Sequence, residues 1–596
     1  MTVEKLITDH IDIWSSALQT RSTAGRGSNG KIDLYGIKKL RELILELAVR
    51  GKLVPQDPND EPASELLKRI AAEKAELVKQ GKIKKQKPLP EISEDEKPFE
   101  LPVGWEWVRL GDMMGSIDAG WSPACSSEPS TNDNIWGVLK TTAIQKLEFR
   151  HFENKALPDN KLPKPQYEVV CGDILITRAG PKNRVGVSCL VEETRPKLMI
   201  SDKIIRFHLI SDCVLNKYVV LSLNCGPTFS YLEKAKSGMA ESQMNISQEN
   251  LKYAPVAIPP QRIQFEIVHK VEKLMWLCDQ LEQKSLTSLE AHQQLVETLL
   301  TTLIDSQNAE ELAENWARIS QHFDTLFTTE ASIDALKQTI LQLAVMGKLV
   351  PQDPNDEPAS ELLKRIKQKK TQLVKEGKIK KQKTLPPISD DEKIFSIPKG
   401  WEWVRLDDIC FGITSGSTPA KEIFNEVEGV PYLKVYNIKN QKIDFDHKPQ
   451  FINERYNDEK MKRSTLYPGD VVMNIVGPPL GKVAIIPDTY DKWNCNQAIV
   501  FFRSIEKSIG DYIYVYLLAG MFLDSIELIG TAGQDNISVT KSRSIVLPFP
   551  PKNEQQKIKK MVEKMLHNCD TLKSRLQSAQ QTQLHLADAL TDAALN

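Results

Sequence analysis

Apolar residues recur at helical spacing near the start of the chain. Ile37, Leu40, Ile44, Leu47 and Ala48 form one stripe, and Gly51 stands where a C-terminal cap belongs. After an extended Pro-Gln-Asp-Pro-Asn-Asp link, Pro62 opens a second helix through Leu66, Leu67, Ile70 and Leu77, which Gly81 stops. Prolines and charges over 82–101 predict an exposed linker. Alternation then replaces the helical period: Trp105-Glu-Trp-Val-Arg-Leu110 and Trp401-Glu-Trp-Val-Arg-Leu406 read as strands. Asp173–Thr177 with Asp470–Asn474, and Ile204–Leu209 with Ala498–Phe502, read as short buried strands. Lys217–Leu223 and Asp511–Leu517 read as the helices that follow them.

Two later segments step by fours and threes. Ile267, Val271, Leu274, Cys278, Leu281, Ser285, Ser288, His292, Leu295 and Leu299 form one seam. Ile558, Val562, Met565, Cys569, Leu572, Leu576, Ala579, Gln583, Leu586 and Leu590 form the other. Such heptads predict helices packed in coiled-coil style, weakened in the middle where Ser285, Ser288, Ala579 and Gln583 stand. A helix from 267 to about 303 would run roughly 54 Å. That exceeds a DNA turn of roughly 34 Å.

These elements come in pairs because the chain repeats itself. The twenty residues from Gly51 to Ile70 return unchanged from Gly347 to Ile366. Gly81–Lys87 returns as Gly377–Lys383, and Gly104–Leu110 as Gly400–Leu406. Beyond these, the copies share only anchors: Gly120-Trp-Ser-Pro with Gly416-Ser-Thr-Pro, Gly172-Asp with Gly469-Asp, and Asn245-Ile-Ser with Asn536-Ile-Ser. Likeness resumes at Pro259-Pro260 and Pro550-Pro551. A period of this size is a duplicated domain-sized module and not a solenoid unit, whose period is roughly 20–50 residues. Each half is a near-constant helical frame around a variable insert, so one fold carries two different surfaces.

At 596 residues the chain is too long for one core. Its 41% apolar and 26% charged content is that of an ordinary globular protein. The net charge of −1 makes bulk attraction to nucleic acid an insufficient argument, so local patches must carry any such function. Nine cysteines without a CxxC pair or neighbouring histidines indicate neither a zinc site nor a disulfide framework. No signal-like apolar stretch follows Met1 and no run of 18 apolar residues occurs, so the expectation is a cytoplasmic chain without a membrane span.

Catalytic motifs fail on inspection. Gly477-Pro-Pro-Leu-Gly-Lys482-Val is too short between its glycines for a phosphate loop, and Val483 stands where a magnesium-binding hydroxyl belongs. No Asn/Asp-Pro-Pro-Tyr, HExxH or Gly-x-Ser-x-Gly is present. Basic residues do cluster, at Lys364–Lys383 and less densely at Lys79–Lys87, although a charge run is ordinarily a solvated helix face. Polar side chains beside the glycine turns of the inserts are better placed to meet a groove, because glycine permits close backbone approach. They are Ser122, Lys140, Thr141, Arg178, Lys182 and Arg184 in the first insert. In the second they are Thr418, Lys434, Tyr436, Asn437, Asn474 and Lys482.

With these signals in order and repeated twice, the sequence resembles the specificity subunits of Type I restriction–modification systems, in the longer-chain group. Glu554-Gln-Gln556 is similar to the family's Glu-Gln after the prolines, whereas Ile263-Gln-Phe265 departs from it. The resemblance implies an α+β fold: two mixed target-recognition domains joined by long helices in an antiparallel coiled-coil frame with pseudo-twofold symmetry. The expected boundaries are a helical spacer and linker over 1–100, the first recognition domain over 101–262, a central spacer over 263–400, the second domain over 401–552 and a final helix over 553–596. It further implies a non-catalytic reader of an asymmetric, bipartite double-stranded DNA target. Two methyltransferase subunits and two restriction–motor subunits would be its partners. Adenine-N6 methylation and cleavage would reside in those partners, with their S-adenosylmethionine, ATP and magnesium, and this chain would hold no cofactor or metal. Two competing readings are a helical scaffold whose inserts bind protein and a self-contained methyltransferase.

Overall fold

The structure, a computed structural model, describes residues 3–21, 31–125, 127–130, 132–425, 427–526, 528 and 535–595. The chain divides into two compact units. One comprises Met1–Gln19, Ile32–Leu286 and Gln580–Asn596, the other Thr20–Lys31 and Thr287–Ala579. Each holds one mixed α/β insert and part of the helical frame.

In the first unit, the Tyr35–Val49 helix buries Ile37, Leu40, Ile44, Leu47 and Ala48 along its apolar stripe. Gly51, at a φ of +69°, turns the chain away. A Cβ there would stand 2.6 Å from the Pro102 ring and 3.0 Å from Trp105, so the repeated glycine also admits the insert's first tryptophan. The Ala63–Lys79 helix follows. The insert opens with the strand Glu106–Arg109, which pairs antiparallel with the closing strand Pro255–Ile258. Its two ends therefore leave the frame side by side. Its main sheet has the order 188–190, 174–177, 204–209, 114–119, all antiparallel. A smaller sheet sets 137–139 between 154–156 and 198–199.

The second unit repeats the plan. Glu402–Arg405 pairs with Val546–Phe549, and the main sheet runs 410–415, 499–504, 471–474, 483–485. The Lys507–Ala519 helix packs on that sheet with Tyr512, Ile513 and Leu517 buried. Its central frame contains a helix that the periodicity reading missed, Ala309–Gln321, capped by the Asn308 side chain. Leu312, Trp316 and Ile319 turn it onto Leu303, Leu336 and Ile340. The Asn308-x-x-Glu311 capping pattern was the available signal.

One expectation is corrected. The long helices Gln261–Asp305 and Lys552–Leu595 keep the heptad through Cys278 and Cys569, but the buried line then moves one residue on. Val296 and Leu300 are buried instead of Leu295, which is 51% exposed, and Ala587 is buried instead of Leu586. Both seams contain an extra step of four, Leu281–Ser285–Leu289 and Leu572–Leu576–Gln580. An 11-residue step follows a straight helix of 3.6 residues per turn more closely than consecutive heptads do. The stretch 82–101 has no buried residue, and it is anchored. The buried Arg109 guanidinium donates to the carbonyls of Pro90 (3.1 Å) and Glu91 (2.9 Å) and pairs with Glu96.

Candidate nucleic-acid interface

The anchors shared by the two inserts build a common scaffold. Gly120 lies against Ile200, where a Cβ would meet the carbonyl oxygen at 1.9 Å. Gly416 lies against Cys495 in the same way, at 2.0 Å. These contacts seat the hydroxyl residues that follow. Ser122 hydrogen-bonds the carboxylate of Asp202 and accepts from its backbone N–H at 3.2 Å, and Thr418 bonds the Gln497 amide. Both hydroxyls are exposed.

The Gly-Asp pairs have a structural role. Asp173, fully buried, accepts from the Val170 N–H (3.0 Å), the His208 ring and Arg206. Asp470 accepts from the Tyr467 N–H (2.8 Å) and from Arg503 (2.6 Å). Each carboxylate thus fixes the turn into a central strand.

Around this scaffold the first insert places Arg178 half-exposed. Its backbone is held by Lys203 and Ile246, and its guanidinium has no partner among the described residues. Lys182 is exposed and paired with Glu241 at 2.8 Å, an ion pair that raises the lysine's pKa and lowers the glutamate's. Lys140 lies 3.7 Å from Glu153. Thr141 contributes its carbonyl, which accepts from Arg184 at 2.8 Å. Arg184 also donates to the Ile144 carbonyl (2.7 Å) and the Gln145 side chain (3.0 Å). Its guanidinium braces the 141–145 loop.

The second insert sorts its residues similarly. Lys434 stands 5.1 Å above the Phe424 ring. Tyr436 meets His447 edge-on at 5.9 Å, and partial burial raises its phenol pKa. Asn437 is fully buried. Its side chain accepts from the Lys434 N–H (2.9 Å) and donates to the Asp444 and His447 carbonyls (3.1 and 3.0 Å). Asn474, also buried, spans its turn by donating to the Pro479 carbonyl (2.9 Å) and accepting from the Lys482 N–H (2.6 Å). Both asparagines are loop braces, because a side chain with its polar atoms satisfied inside the fold cannot turn outward without losing them. Lys482 itself is half-buried, and its ammonium has no partner among the described residues. The Gln441 side chain, which sequence reasoning missed, accepts from the Val483 N–H at 2.8 Å and ties the two loops together.

The 202–203 turn therefore brings Ser122 and Arg178 together, with Lys182 held apart on Glu241, and Lys434, Tyr436 and Lys482 stand around the loops braced by Asn437 and Asn474. The dense lysines lie elsewhere, on the Ala359–Lys375 helix and the stretch after it. Several are paired there, such as Lys364 with Glu361 (2.7 Å) and Lys378 with Glu376 (2.9 Å).

The Type I restriction modification DNA specificity domain matches the chain twice, over residues 102–291 and 398–581. The sequence is 51% identical to the Type I restriction enzyme EcoEI specificity subunit of Escherichia coli, over all of both chains. It is 49% identical to the EcoAI specificity subunit of the same organism, again over all of both. Among solved structures, a chain described under complex assembly and conformational transition of the type I R-M system superposes with a TM-score of 0.49. It shares 16% identity and covers 84% of this chain and 99% of that one. With its two domain matches and its full-length likeness to both subunits, the chain belongs to the family of Type I restriction–modification specificity subunits.

Proposed function

We propose that this chain reads an asymmetric, bipartite DNA target, one half-site per insert, and presents its helical frame to the other subunits of a Type I restriction–modification complex. The single observation that carries the reading is the pairing of a shared scaffold with unshared tips. Gly120 and Gly416, Asp173 and Asp470, and Ser122 and Thr418 do the same structural work in both inserts. The exposed side chains beside them differ. Two surfaces on one fold suit two different half-sites, and paired opening and closing strands make each insert a unit that can diverge alone. In this reading the chain is non-catalytic and works in the cytoplasm. Two methyltransferase subunits dock on the frame and methylate adenine at N6, and two restriction–motor subunits complete the nuclease. S-adenosylmethionine, ATP and magnesium serve those partners, and no step on this chain runs through them.

The test is an exchange. Residues 401–552 are replaced by the corresponding insert of a relative, and the methylated sequence is determined in a host that supplies the methyltransferase subunit. One half of the motif should change while the other half and the spacer stay. A change in both halves would overturn the assignment of one half-site to each insert. A helical scaffold that binds only protein would show no DNA affinity falling steeply with salt, whereas phosphate contacts require that fall.

A further inference from the structure

The least buried ordered element of the first insert is a two-stranded ribbon, a hairpin at the edge of a three-stranded sheet, which the sequence motifs touch only at Asn245, the first residue of the Asn-Ile-Ser anchor. Ser237–Ala240 pairs antiparallel with Gln243–Asn245, and the second strand also pairs with Ala179–Gly180, directly beyond Arg178. All four residues of the first strand are exposed, Met239 completely. The register shifts between Ser237 and Ala240, and Gly238 makes the irregularity possible, because a Cβ there would stand 2.2 Å from the Gln243 carbonyl oxygen. Such a bulge re-aims the side chains that follow it. Gln243 and Asn245 are exposed, and neither amide has a partner among the described residues.

The geometry points to this ribbon as the base-reading element of the first insert, with the Gln243 and Asn245 amides each reading an adenine. The inference rests on the DNA-reading function proposed above. Alternation puts both side chains on one face, about 7 Å apart. That distance is two base-pair steps of about 3.4 Å each. A major groove roughly 12 Å wide admits a two-stranded ribbon, and Gln and Asn are the side chains that bond adenine N6 and N7 bidentately. The charge beside the ribbon suits DNA. Arg178 directly precedes the strand that pairs with the ribbon, and the Lys203 carbonyl accepts from the Arg178 N–H. Neither cation has a partner among the described residues, while Lys182 and Lys236 are matched by Glu241 and Glu233. Arg178 and Lys203 are therefore the cations available to phosphate, and Met239 is the apolar contact available to a thymine methyl group.

The experiment uses the full chain with its methyltransferase subunit and compares the methylated motif of the unaltered chain with those of Gln243→Ala and Asn245→Ala. Each variant should lose preference at one position of the first half-site, by roughly 5- to 150-fold, with the second half-site unchanged. The two relaxed positions should be adenines two steps apart. An unchanged motif in both variants overturns the ribbon assignment, and so does relaxation confined to the second half-site. If a variant abolishes methylation, binding to duplexes with single-base changes decides. Lost preference at one position supports the assignment, and uniformly weaker binding with preference retained overturns it. A bipartite motif absent from the unaltered chain would instead count against the DNA-reading function itself.

Discussion

Arg109 and Glu96 face each other in a two-pronged ion pair, with both guanidinium nitrogens donating to the carboxylate oxygens at 2.7 Å. Arg405 and Glu392 repeat it at 2.9 and 3.0 Å. The same arginines donate to the Tyr253 and Ser544 carbonyls, so each clasps the linker, the opening strand and the closing segment at once. Both guanidiniums are buried. Removing the carboxylate leaves a buried charge without its partner, and Glu96→Ala should cost about 3–5 kcal/mol in the first unit. Differential scanning calorimetry of the variant checks this, and a cost below about 1 kcal/mol would refute it.

The pair also sets an acid limit. Hydrogen bonding to the arginine, helped by the Ser93 and Ser389 N–H groups, pulls both carboxyls from the usual 4.5 down to about 2. A folded-state pKa below the unfolded one means that the unfolded chain binds more protons between these values. The contribution of each pair is therefore complete above about pH 4.5 and lost as pH falls towards 2. The stability gap between the unaltered chain and a Glu96→Gln, Glu392→Gln double variant should narrow through that window. Melting temperatures measured from pH 6 downward would show it, and a gap that widens on acidification contradicts the assignment.

Gly120 and Gly416 should tolerate no side chain. Neither has a positive φ, so the cost is steric, a methyl group forced against a carbonyl in a neighbouring strand turn. Gly120→Ala should destabilise the first insert by about 3 kcal/mol or more. Hydrogen exchange should rise across 114–119 and 198–209 while the second insert keeps its protection.

The displaced seam predicts a sharp contrast between neighbours. Val296→Asp buries a charge in the core of the second unit, whereas Leu295→Asp places it on a surface already 51% exposed. The first should lower the denaturation midpoint by the equivalent of about 3 kcal/mol or more, the second by less than about 0.5 kcal/mol. Equal effects would restore the unbroken heptad.

Recognition and support should separate in binding. Arg178→Ala should weaken binding to matched and mismatched duplexes about equally and lower the salt slope by about 1, while leaving the melting temperature in place. Trp105, buried with its indole N–H on the Gln56 side chain at 2.8 Å, should cost about 3–5 kcal/mol of stability when replaced by alanine. Titration of each variant with matched and single-mismatch duplexes, beside its melting curve, tests both. A stable Trp105→Ala chain with altered base preference would reverse the two roles.

Much of this architecture was legible in the order of residues. The helical stripe at Ile37–Ala48, the alternation at Trp105–Leu110, the repeated glycines and the duplication are local or periodic signals, and local sterics and one-sided burial decide them. The family resemblance followed from their order. Three features were decided only by the tertiary structure. The seams move from Leu295 to Val296 and from Leu586 to Ala587 because neighbouring helices, and not the helix itself, select which face is covered. Arg184, Asn437 and Asn474 look like readers in a list of polar residues, yet each is committed to carbonyls or N–H groups brought near by folding. The Ser237–Asn245 ribbon meets a motif only at its last residue, Asn245, and its exposure depends on pairing with Ala179–Gly180, far away in sequence. A sequence records which side chains could bond, and packing decides which of them are already satisfied and which remain free to meet a partner.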